Sequence, residues 1–338
     1  MKSILTLVCS PVVLLLACGG AGESGSGGES LGTTAQEGRS WQGRSWQGRS
    51  WQGRSWQGVS TAVSSVLRAK IGDVAVDGLH LEGTVLVGAL AGQPVSGADF
   101  AGATITQQDV DGTTFDSVIT SVQTDPQDPS GEILLYTLTA YNPNTGATEN
   151  ICNPDPWGGR YATPVYGSWD SSGAHLDSTT QFMFACTSGV VAKCVRWGYK
   201  PWKTVAGSAL ADYHQACTRM ARADYCGDGV SHTEDGTLID LYDDLGIQVR
   251  SAPDLQSPLF FDAAWSPKGA YCVAKDRWLK LSSLVSVTLD CKLKFVNLLP
   301  LVTASPVDSA DVCLVKRSDI ARSEVHLDNQ SALNIELK

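Results

Sequence analysis

The sequence predicts an α+β fold, a β-rich disulfide-bonded domain with one well-marked helix at about residues 205–226, preceded by a disordered repeat tether. Three observations lead to this prediction. Short stretches that alternate apolar and polar residues end in turn-forming clusters such as "NPNTG", as strands do. The chain is rich in cysteine. Near the N-terminus a five-residue unit repeats four times, a spacing that gives neither a helix nor a strand one apolar face.

The first residues predict export and lipid attachment. Lys2 precedes an apolar run, Ile4–Ala17, that is too short to span a membrane as a mature helix and is typical of a signal peptide over residues 1–17. The run ends in "LLLAC", which resembles the lipobox of bacterial lipoproteins, so we expect a lipid on Cys18 and the membrane as its partner. An ordinary signal peptide, cut a few residues later, is the alternative. By the sorting rule of lipoproteins, Gly19 favours the outer membrane, on either face.

Residues 18–58 are predicted to be a flexible tether. A Gly/Ser tract follows Cys18, and "GRSWQ" then occurs four times before Gly58. Such a linker of about 40 residues spans roughly 35 Å as a random coil. Its arginines alternate with tryptophans that favour the headgroup region, so we expect the repeat to lie on an anionic envelope surface. A plain spacer enlarged by duplication is the alternative.

The charge of the chain argues against one class of partner. Lys and Arg number 25 against 35 Asp and Glu, for a net charge of −10 at pH 7. Because an acidic chain is a poor binder of nucleic acid, we expect no nucleic-acid partner.

Eight cysteines remain when Cys9 of the apolar run and Cys18 are set aside, and an even number in an exported chain predicts disulfides. Local sequence suggests only one pairing, a hairpin clasp between Cys186 and Cys194 in "CTSGVVAKC". The disulfide candidates are Cys152, Cys186, Cys194, Cys217, Cys226, Cys272, Cys291 and Cys313.

The chain after the tether divides into three predicted segments. Residues 59–130 form a small β-rich segment, and "TDPQDPSG" marks its end. Residues 131–315 form the disulfide-bonded domain, with strands expected at "EILLYTLTAYNPNTG", "YCVAKDRW" and "LVSVTLDC" and a strand pair at "QFMFACTSGVVAKCVRWGY". Residues 316–338 form a C-terminal tail.

One helix is expected within the second segment. Leu210, Tyr213, Cys217 and Met220 follow one another at spacings of three, four and three, which places them on one helical face. Gly227 is a natural stop signal.

Three long stretches of the chain resemble one family. They are "FACTSGVVAKCVRWGYKPW", "HQACTRMARADYCGDGVSHTEDGTLIDLYDDLGIQ" and "AAWSPKGAYCVAKDRW", and together they resemble the ADYC domain of myxobacterial and related bacterial proteins. The family motif falls on Ala223, Asp224, Tyr225 and Cys226, and the resemblance covers about residues 131–313. It implies a lipoprotein with a repetitive N-terminal segment, and it implies no particular activity.

A carboxylate-rich run after the motif suggests calcium. Asp228, Asp235 and Asp240 are the candidate ligands, since calcium favours carboxylates. The EF-hand pattern does not fit, because Ser231 and Tyr242 stand where an aspartate and a glutamate are needed. A tight turn with solvated acids is the alternative, so we expect no cofactor and keep calcium as an open alternative.

Histidines and cysteines near the motif suggest two further kinds of site. His214 and Cys217 are three residues apart and can meet on one helical face as base and nucleophile, with His232 nearby. Together with Cys226 they also have the ligand types of a zinc site. Both sites need reduced cysteines, and a disulfide anchor is the alternative. The hydrolase and nucleotide-binding motifs "GxSxG", "HExxH", "SxxK" and the phosphate loop do not occur.

Aromatic residues in glycine-rich settings suggest a binding face for glycans or peptides. Packing in the core is the alternative. The residues are Trp157, Trp169, Trp197, Trp202, Trp265, Trp278, Tyr161, Tyr166 and Tyr199.

The sequence therefore predicts a lipid-anchored cell-envelope protein whose domain acts in binding or surface structure, with no enzyme activity assigned. Two alternatives stay open. One is an exported enzyme that uses the Cys/His/Asp cluster near the motif, which needs a free thiol. The other is a calcium-dependent adhesion module, which needs stoichiometric calcium that raises the melting temperature.

Overall fold

A computed structural model describes residues 65–109, 112–143, 145–234, 237–251, 259–275, 277–280, 315–316, 318–331 and 334–336. The predictions for the signal peptide and the tether lie outside these residues, as do those for Asp235, Cys291, Cys313 and the strand at "LVSVTLDC". No helix within the described ranges is long and apolar enough to cross a membrane.

The first half of the described chain is built from short strands. Alternation explains them: along one strand Phe115, Ser117 and Ile119 are buried, whereas Asp116 and Val118 between them are exposed, as the pleat requires. The strands are β1 Ser65–Ile71, β2 Val74–Glu82, β3 Val85–Leu90, β4 Gln93–Ser96, β5 Thr104–Gln108, β6 Thr114–Thr124, β7 Leu134–Asn142, β8 Ala147–Asn150, β9 Ala162–Tyr166, β10 Ser168–Trp169, β11 His175–Leu176 and β12 Phe182–Cys186.

Ten of these described strands form one antiparallel sheet in the order β12-β9-β7-β6-β5-β1-β2-β3-β4, with β8 also paired to β7. The sheet curls on itself, because the hydroxyl of Tyr166 on β9 accepts a hydrogen bond from the Leu81 N–H on β2 and donates one to the Leu81 carbonyl. Tyr136 on β7 likewise accepts from the Leu86 N–H at 3.0 Å and donates to the Thr84 carbonyl at 3.1 Å. The two hydroxyls satisfy backbone groups around the β2–β3 turn that the sheet leaves unpaired.

Two helices follow in the described chain, α1 Val190–Arg196 and α2 Leu210–Arg222. The predicted helix at about residues 205–226 is confirmed as α2. The strand pair predicted at "QFMFACTSGVVAKCVRWGY" is half wrong, because only its first part is a strand, β12, and its second part is α1. All seven residues of α1 are buried, so the helix has no solvent-exposed polar face. Its sequence therefore lacks the alternation of apolar and polar residues, with a period of 3.6, that identifies an amphipathic helix.

A second sheet packs against α2. The remaining described strands are β13 Thr204–Val205, β14 Ser208–Ala209, β15 Ile239–Asp243, β16 Phe260–Ser266, β17 Gly269–Val273, β18 Trp278–Lys280, β19 Val315–Lys316, β20 Leu327–Ser331 and β21 Asn334–Glu336. The strands of the second sheet in spatial order are β15-β20-β16-β17-β19, all antiparallel. Within the described ranges, three pairs of short strands complete the fold, β10 with β11, β13 with β14, and β18 with β21.

Strand pairings and side-chain contacts cross two of the predicted segment boundaries. Strands β6 and β7 lie on either side of residue 130 and are paired in one sheet. The loop between them is tied to the region after α1, because Lys200 Nζ lies 3.1 Å from Asp128 Oδ1 and 2.7 Å from Glu132 Oε2. The predicted C-terminal tail contributes β20, which lies between β15 and β16 in the second sheet.

Disulfides are confirmed, but the local pairing is wrong. Cys152 bonds Cys186, and Cys194 bonds Cys217, so the clasp between Cys186 and Cys194 does not form. The reason is that β12 ends at Cys186 and a helix begins four residues later. Cys186 therefore packs in the core of the first sheet, and Cys194 packs in the core around the helices.

Candidate functional site

The ADYC motif begins where α2 ends. Ala223 is the C-cap of the helix and has left-handed backbone angles, φ 50° and ψ 43°. Its N–H donates to the Met220 carbonyl at 2.9 Å, and the Asp224 N–H donates to the Arg219 carbonyl at 2.9 Å. These two bonds satisfy the last turn of α2 in the way helix C-caps do. A side chain as small as that of alanine also suits the position, since Ala223 is completely buried.

Asp224 organises the loop that follows. Its carboxylate accepts hydrogen bonds from the N–H groups of Gly227, Asp228 and Gly229 at 3.0–3.1 Å, and it pairs with Arg219. Burial raises the pKa of Asp224, although Arg219 opposes that rise. The carboxylate is therefore committed to holding the chain reversal between α2 and the second sheet.

Tyr225 connects the motif to the second sheet. Its ring stacks on Trp265 with centroids 5.2 Å apart, and its hydroxyl donates to Asp262 Oδ1 and accepts from the Arg277 N–H, both at 2.9 Å. Asp262 also pairs with Arg277 Nε at 2.8 Å and accepts from Asn329 Nδ2 at 2.9 Å. Burial by itself raises the pKa of Asp262, but Arg277 holds that pKa below its ordinary value. This buried network fixes the motif against β16 and β20.

The Cys–His pair considered as a catalytic centre is not formed. Cys217 is bonded to Cys194, so it carries no thiolate to act as nucleophile. His214 is buried, its Nε2 lies 2.9 Å from the Val191 carbonyl oxygen, and burial lowers its pKa to about 3. A neutral histidine held in the core positions α1 against α2.

The zinc set near the motif is also not formed. Cys217 is bonded to Cys194, and Cys226 is also disulfide-bonded. The ring centroid of His232 lies 5.8 Å from that of Tyr225, and the backbone N–H of His232 donates to the Arg222 carbonyl. A zinc site needs deprotonated cysteines, and these are oxidised.

The carboxylates proposed for calcium make structural contacts instead. Asp228 Oδ1 accepts from the Val230 N–H at 2.9 Å, and Asp240 accepts from both the N–H and the hydroxyl of Ser251. Across the described ranges, which omit Asp235, no three or more His, Cys, Asp or Glu side chains are grouped to hold a metal ion. Calcium binding stays a prediction.

Several of the aromatic residues pack in the core and are not part of an exposed binding face. Trp169, Trp197 and Trp265 are buried core residues at 1%, 1% and 0% exposure. Trp169 Nε1 donates to Gln215 at 2.8 Å, as a buried indole should. Of the six tryptophans after the tether, only Trp157 is exposed, at 50%.

One titratable group lies where local sequence carries no signal. Asp328 on β20 is paired with Tyr242 on β15 and Ala264 on β16, and its buried Oδ1 has no hydrogen-bond partner among the described residues. Burial raises the pKa of Asp328 to about 6, Asp244 adds to the rise and Arg322 opposes it. Sequence reasoning placed this segment in a tail and could not foresee a strand there.

These observations define a disulfide-bonded domain of two β-sheets around a helix pair, with a short motif as the junction between α2 and the second sheet. The family model for the ADYC domain matches residues 97–279, which is more than half of the 338 residues, and the chain belongs to the ADYC domain family. The match begins well before residue 131, where the sequence alone placed the start of the domain. Neither the curated proteins nor the solved structures include a match to this chain.

Proposed function

We propose that this chain is an exported, lipid-anchored protein of a bacterial cell envelope whose ADYC domain is a binding or surface-structural module. The disulfide between Cys194 and Cys217 carries the proposal. Both cysteines are completely buried between α1 and α2, in the centre of the larger core. Disulfides persist in oxidising compartments and are rare in the cytosol, so a core built around one favours export.

The N-terminal sequence supplies the proposed anchor. The apolar run that ends in "LLLAC" supports cleavage before Cys18 and attachment of lipid to that residue. Gly19, the residue after Cys18, supports the outer membrane as the destination of the lipoprotein. The Trp/Arg repeat would then hold the domain close to an anionic surface, with about 1 kcal/mol gained per arginine near such a surface.

The geometry of the motif supports a non-catalytic role. Asp224 and Tyr225 are buried and hydrogen-bonded, and Cys226 is oxidised, so the motif offers no reactive group to a substrate. The exported-enzyme alternative that relied on this cluster is therefore not proposed.

Lipid attachment is tested by labelling. The full chain is expressed in a bacterium that processes lipoproteins and is grown with an alkyne-tagged fatty acid. We expect the label on the wild type and on Cys9→Ala, which alters a cysteine inside the apolar run, and no label on Cys18→Ala. Label that survives in Cys18→Ala, or a wild type that is never labelled, would contradict the anchor.

The oxidation state of the cysteines is tested by mass spectrometry. The exported chain is denatured and alkylated with and without reductant, and its intact mass is measured. We expect alkylation of none of the eight cysteines without reductant. Alkylation of Cys217 or Cys226 would remove the main support for a non-catalytic module.

A further inference from the structure

A buried lysine lies among the carboxylates of the loop between β6 and β7. Lys200 Nζ is 3.1 Å from Asp128 Oδ1 and 3.2 Å from Asp128 Oδ2, and the two side chains are 8% and 6% exposed. The buried carboxylates of Asp125, Asp224 and Asp262 are instead paired with arginines. An arginine keeps its charge, whereas a lysine in a buried site can lose a proton and act as a nucleophile.

One oxygen of Asp128 is held as a carbonyl oxygen is held in an acyl-transfer site. Oδ2 accepts hydrogen bonds from the N–H groups of Glu132 and Ile133, at 2.8 and 2.9 Å. Two backbone donors at such distances stabilise the negative charge that develops on this oxygen when a nucleophile attacks the carbon. The donors are fixed in advance, because the Asp125 N–H donates to the Ile133 carbonyl and the Asp128 N–H donates to the Asp125 carbonyl.

Two side chains connect the lysine nitrogen to the other oxygen of Asp128. Ser130 Oγ lies 2.6 Å from Lys200 Nζ and 2.8 Å from Asp128 Oδ1. Glu132 Oε2 lies 2.7 Å from Lys200 Nζ and 3.1 Å from Ser130 Oγ. All four distances are within the reach of direct proton transfer. A proton can therefore pass from Nζ to Oδ1 in short steps.

We propose that Lys200 and Asp128 form an amide bond, an intramolecular cross-link made by the chain's own side chains. Nζ bonds to Cγ of Asp128, and the bond from Cγ to Oδ1 breaks. The ammonium group starts with three protons, keeps one in the amide and gives two to Oδ1, which leaves as water. No electrons pass to or from another group, so the reaction needs no oxidant or second substrate. The inference goes beyond the proposed function, because it needs neither the lipid anchor nor a ligand.

Proton transfer sets the order of the steps. Burial by itself raises the pKa of Asp128, but Ser130 and Lys200 hold that pKa below its ordinary value, so the reaction starts from the ion pair. The first proton passes from Nζ through Ser130 to Oδ1, which leaves an amine beside a carboxylic acid. The amine attacks Cγ while Oδ2 takes up negative charge between its two N–H donors. Glu132 then accepts the second proton and returns it through Ser130 to the leaving oxygen.

The cross-link joins two parts of the chain that are far apart in sequence. Lys200 and Asp128 are 72 positions apart, the one after α1 and the other before β7. Like a disulfide, a bond between them restricts the unfolded chain and so stabilises the fold. An amide, however, survives a reductant, so it remains when all the disulfides have been opened.

Peptide mapping of the full chain tests the bond. The exported protein is denatured, reduced, alkylated and digested with trypsin, which cuts after Arg196 and Lys203. We expect peptide 197–203 to be joined to the peptide that carries Asp128, at their summed mass less one water molecule. Tandem mass spectrometry then assigns the two joined residues.

Two variants and a matched control test the individual groups. Lys200→Arg keeps the positive charge beside Asp128 but removes the amine, so the joined peptide should be absent. Glu132→Gln keeps the shape of the side chain but removes the proton acceptor, so the joined peptide should fall at least about tenfold. The control is Lys203→Arg, since Lys203 also pairs with Glu132. It should leave the amount of joined peptide unchanged.

Each outcome bears on the cross-link directly. If the wild type yields peptide 197–203 only in its free form, the inference is overturned and the contact is an ion pair. A joined peptide that persists in Lys200→Arg also overturns it, because another residue would then carry the bond. Full cross-linking in Glu132→Gln overturns the proton path through Glu132. If Lys200→Arg does not fold, the peptide map of the wild type still decides the question.

Discussion

Replacing Asp328 with asparagine should make the domain more stable at neutral pH and remove part of its pH dependence. The side chain lies between Tyr242 and Ala264 in the middle of the second sheet, with a buried oxygen that has no hydrogen-bond partner among the described residues. Ionising a carboxyl group there places a charge where water cannot solvate it fully. An amide of the same shape carries no charge and avoids that cost.

The size of the effect follows from the pKa. Burial raises the pKa of Asp328 from 3.8 to about 6, so the folded state binds the proton more tightly than the unfolded chain does. Below pH 3.8 both states are protonated and the group costs nothing. As pH rises toward 6 the unfolded chain releases the proton first, and stability falls. The loss levels off above pH 6 at about 3 kcal/mol, because each tenfold difference in proton affinity between the two states is worth about 1.4 kcal/mol.

The assay is urea unfolding of the oxidised wild type and of Asp328→Asn at half-unit steps from pH 3.5 to pH 7.5. Other groups titrate in this range too, His326 among them, whose pKa burial lowers. The difference in free energy of unfolding between the two proteins cancels those groups. We expect the variant to gain up to about 3 kcal/mol over the wild type between pH 4 and pH 7. A difference that stays constant across that range would falsify the assignment of a raised pKa to Asp328.

Three further predictions concern the motif and the helix pair. Gly227→Ala should lower the free energy of unfolding by at least about 2 kcal/mol, because φ is +73° at this position and the added methyl group would overlap the carbonyl oxygen of Lys268. Thermal unfolding measures the loss, and a variant that melts at the wild-type temperature would contradict the prediction. Tyr225→Phe should cost about 1–3 kcal/mol in urea unfolding, because a buried aspartate and a buried N–H lose their shared hydroxyl. The double variant Cys194→Ala/Cys217→Ala should lose about 3 kcal/mol in free energy of unfolding, as expected when a disulfide that closes a loop of 23 residues is removed. If the wild type is equally stable before and after its disulfides are reduced, this prediction is wrong.

Much of the fold follows from local sequence signals, and the departures have physical causes. The period of three and four residues that placed α2 is a property of one amphipathic face, so it is visible without tertiary structure. Helix α1 has no such face because it is buried on all sides, and its β-branched valines resemble a strand. The disulfide partners were unpredictable for a related reason. Cys152 and Cys186 are 34 residues apart, and they meet because β8, which precedes Cys152, pairs with β7, while β12, which ends at Cys186, pairs with β9 beside β7.

The candidate site was less predictable than the fold. The sequence located the motif and its neighbours but could not tell a reactive cysteine from a disulfide-bonded one. Whether a cysteine is bonded depends on whether the fold places a second cysteine beside it. Asp328 carried no signal, since its pKa depends on two strands that come from distant parts of the chain. Trp157 was one aromatic residue among several, and only the fold shows that it is exposed whereas Trp169, Trp197 and Trp265 are buried.

The position of the motif decides where function can reside. Each of its residues meets a different structural need: Ala223 ends α2, Asp224 holds the reversal, Tyr225 attaches it to the second sheet and Cys226 is oxidised. A group that catalyses or binds must be able to exchange its partners for a substrate, and release of Asp224 would leave Arg219 with its buried charge unpaired from that carboxylate, at a cost of about 3–5 kcal/mol. The motif therefore builds the domain, and the binding role proposed above would rest on side chains that the core leaves exposed.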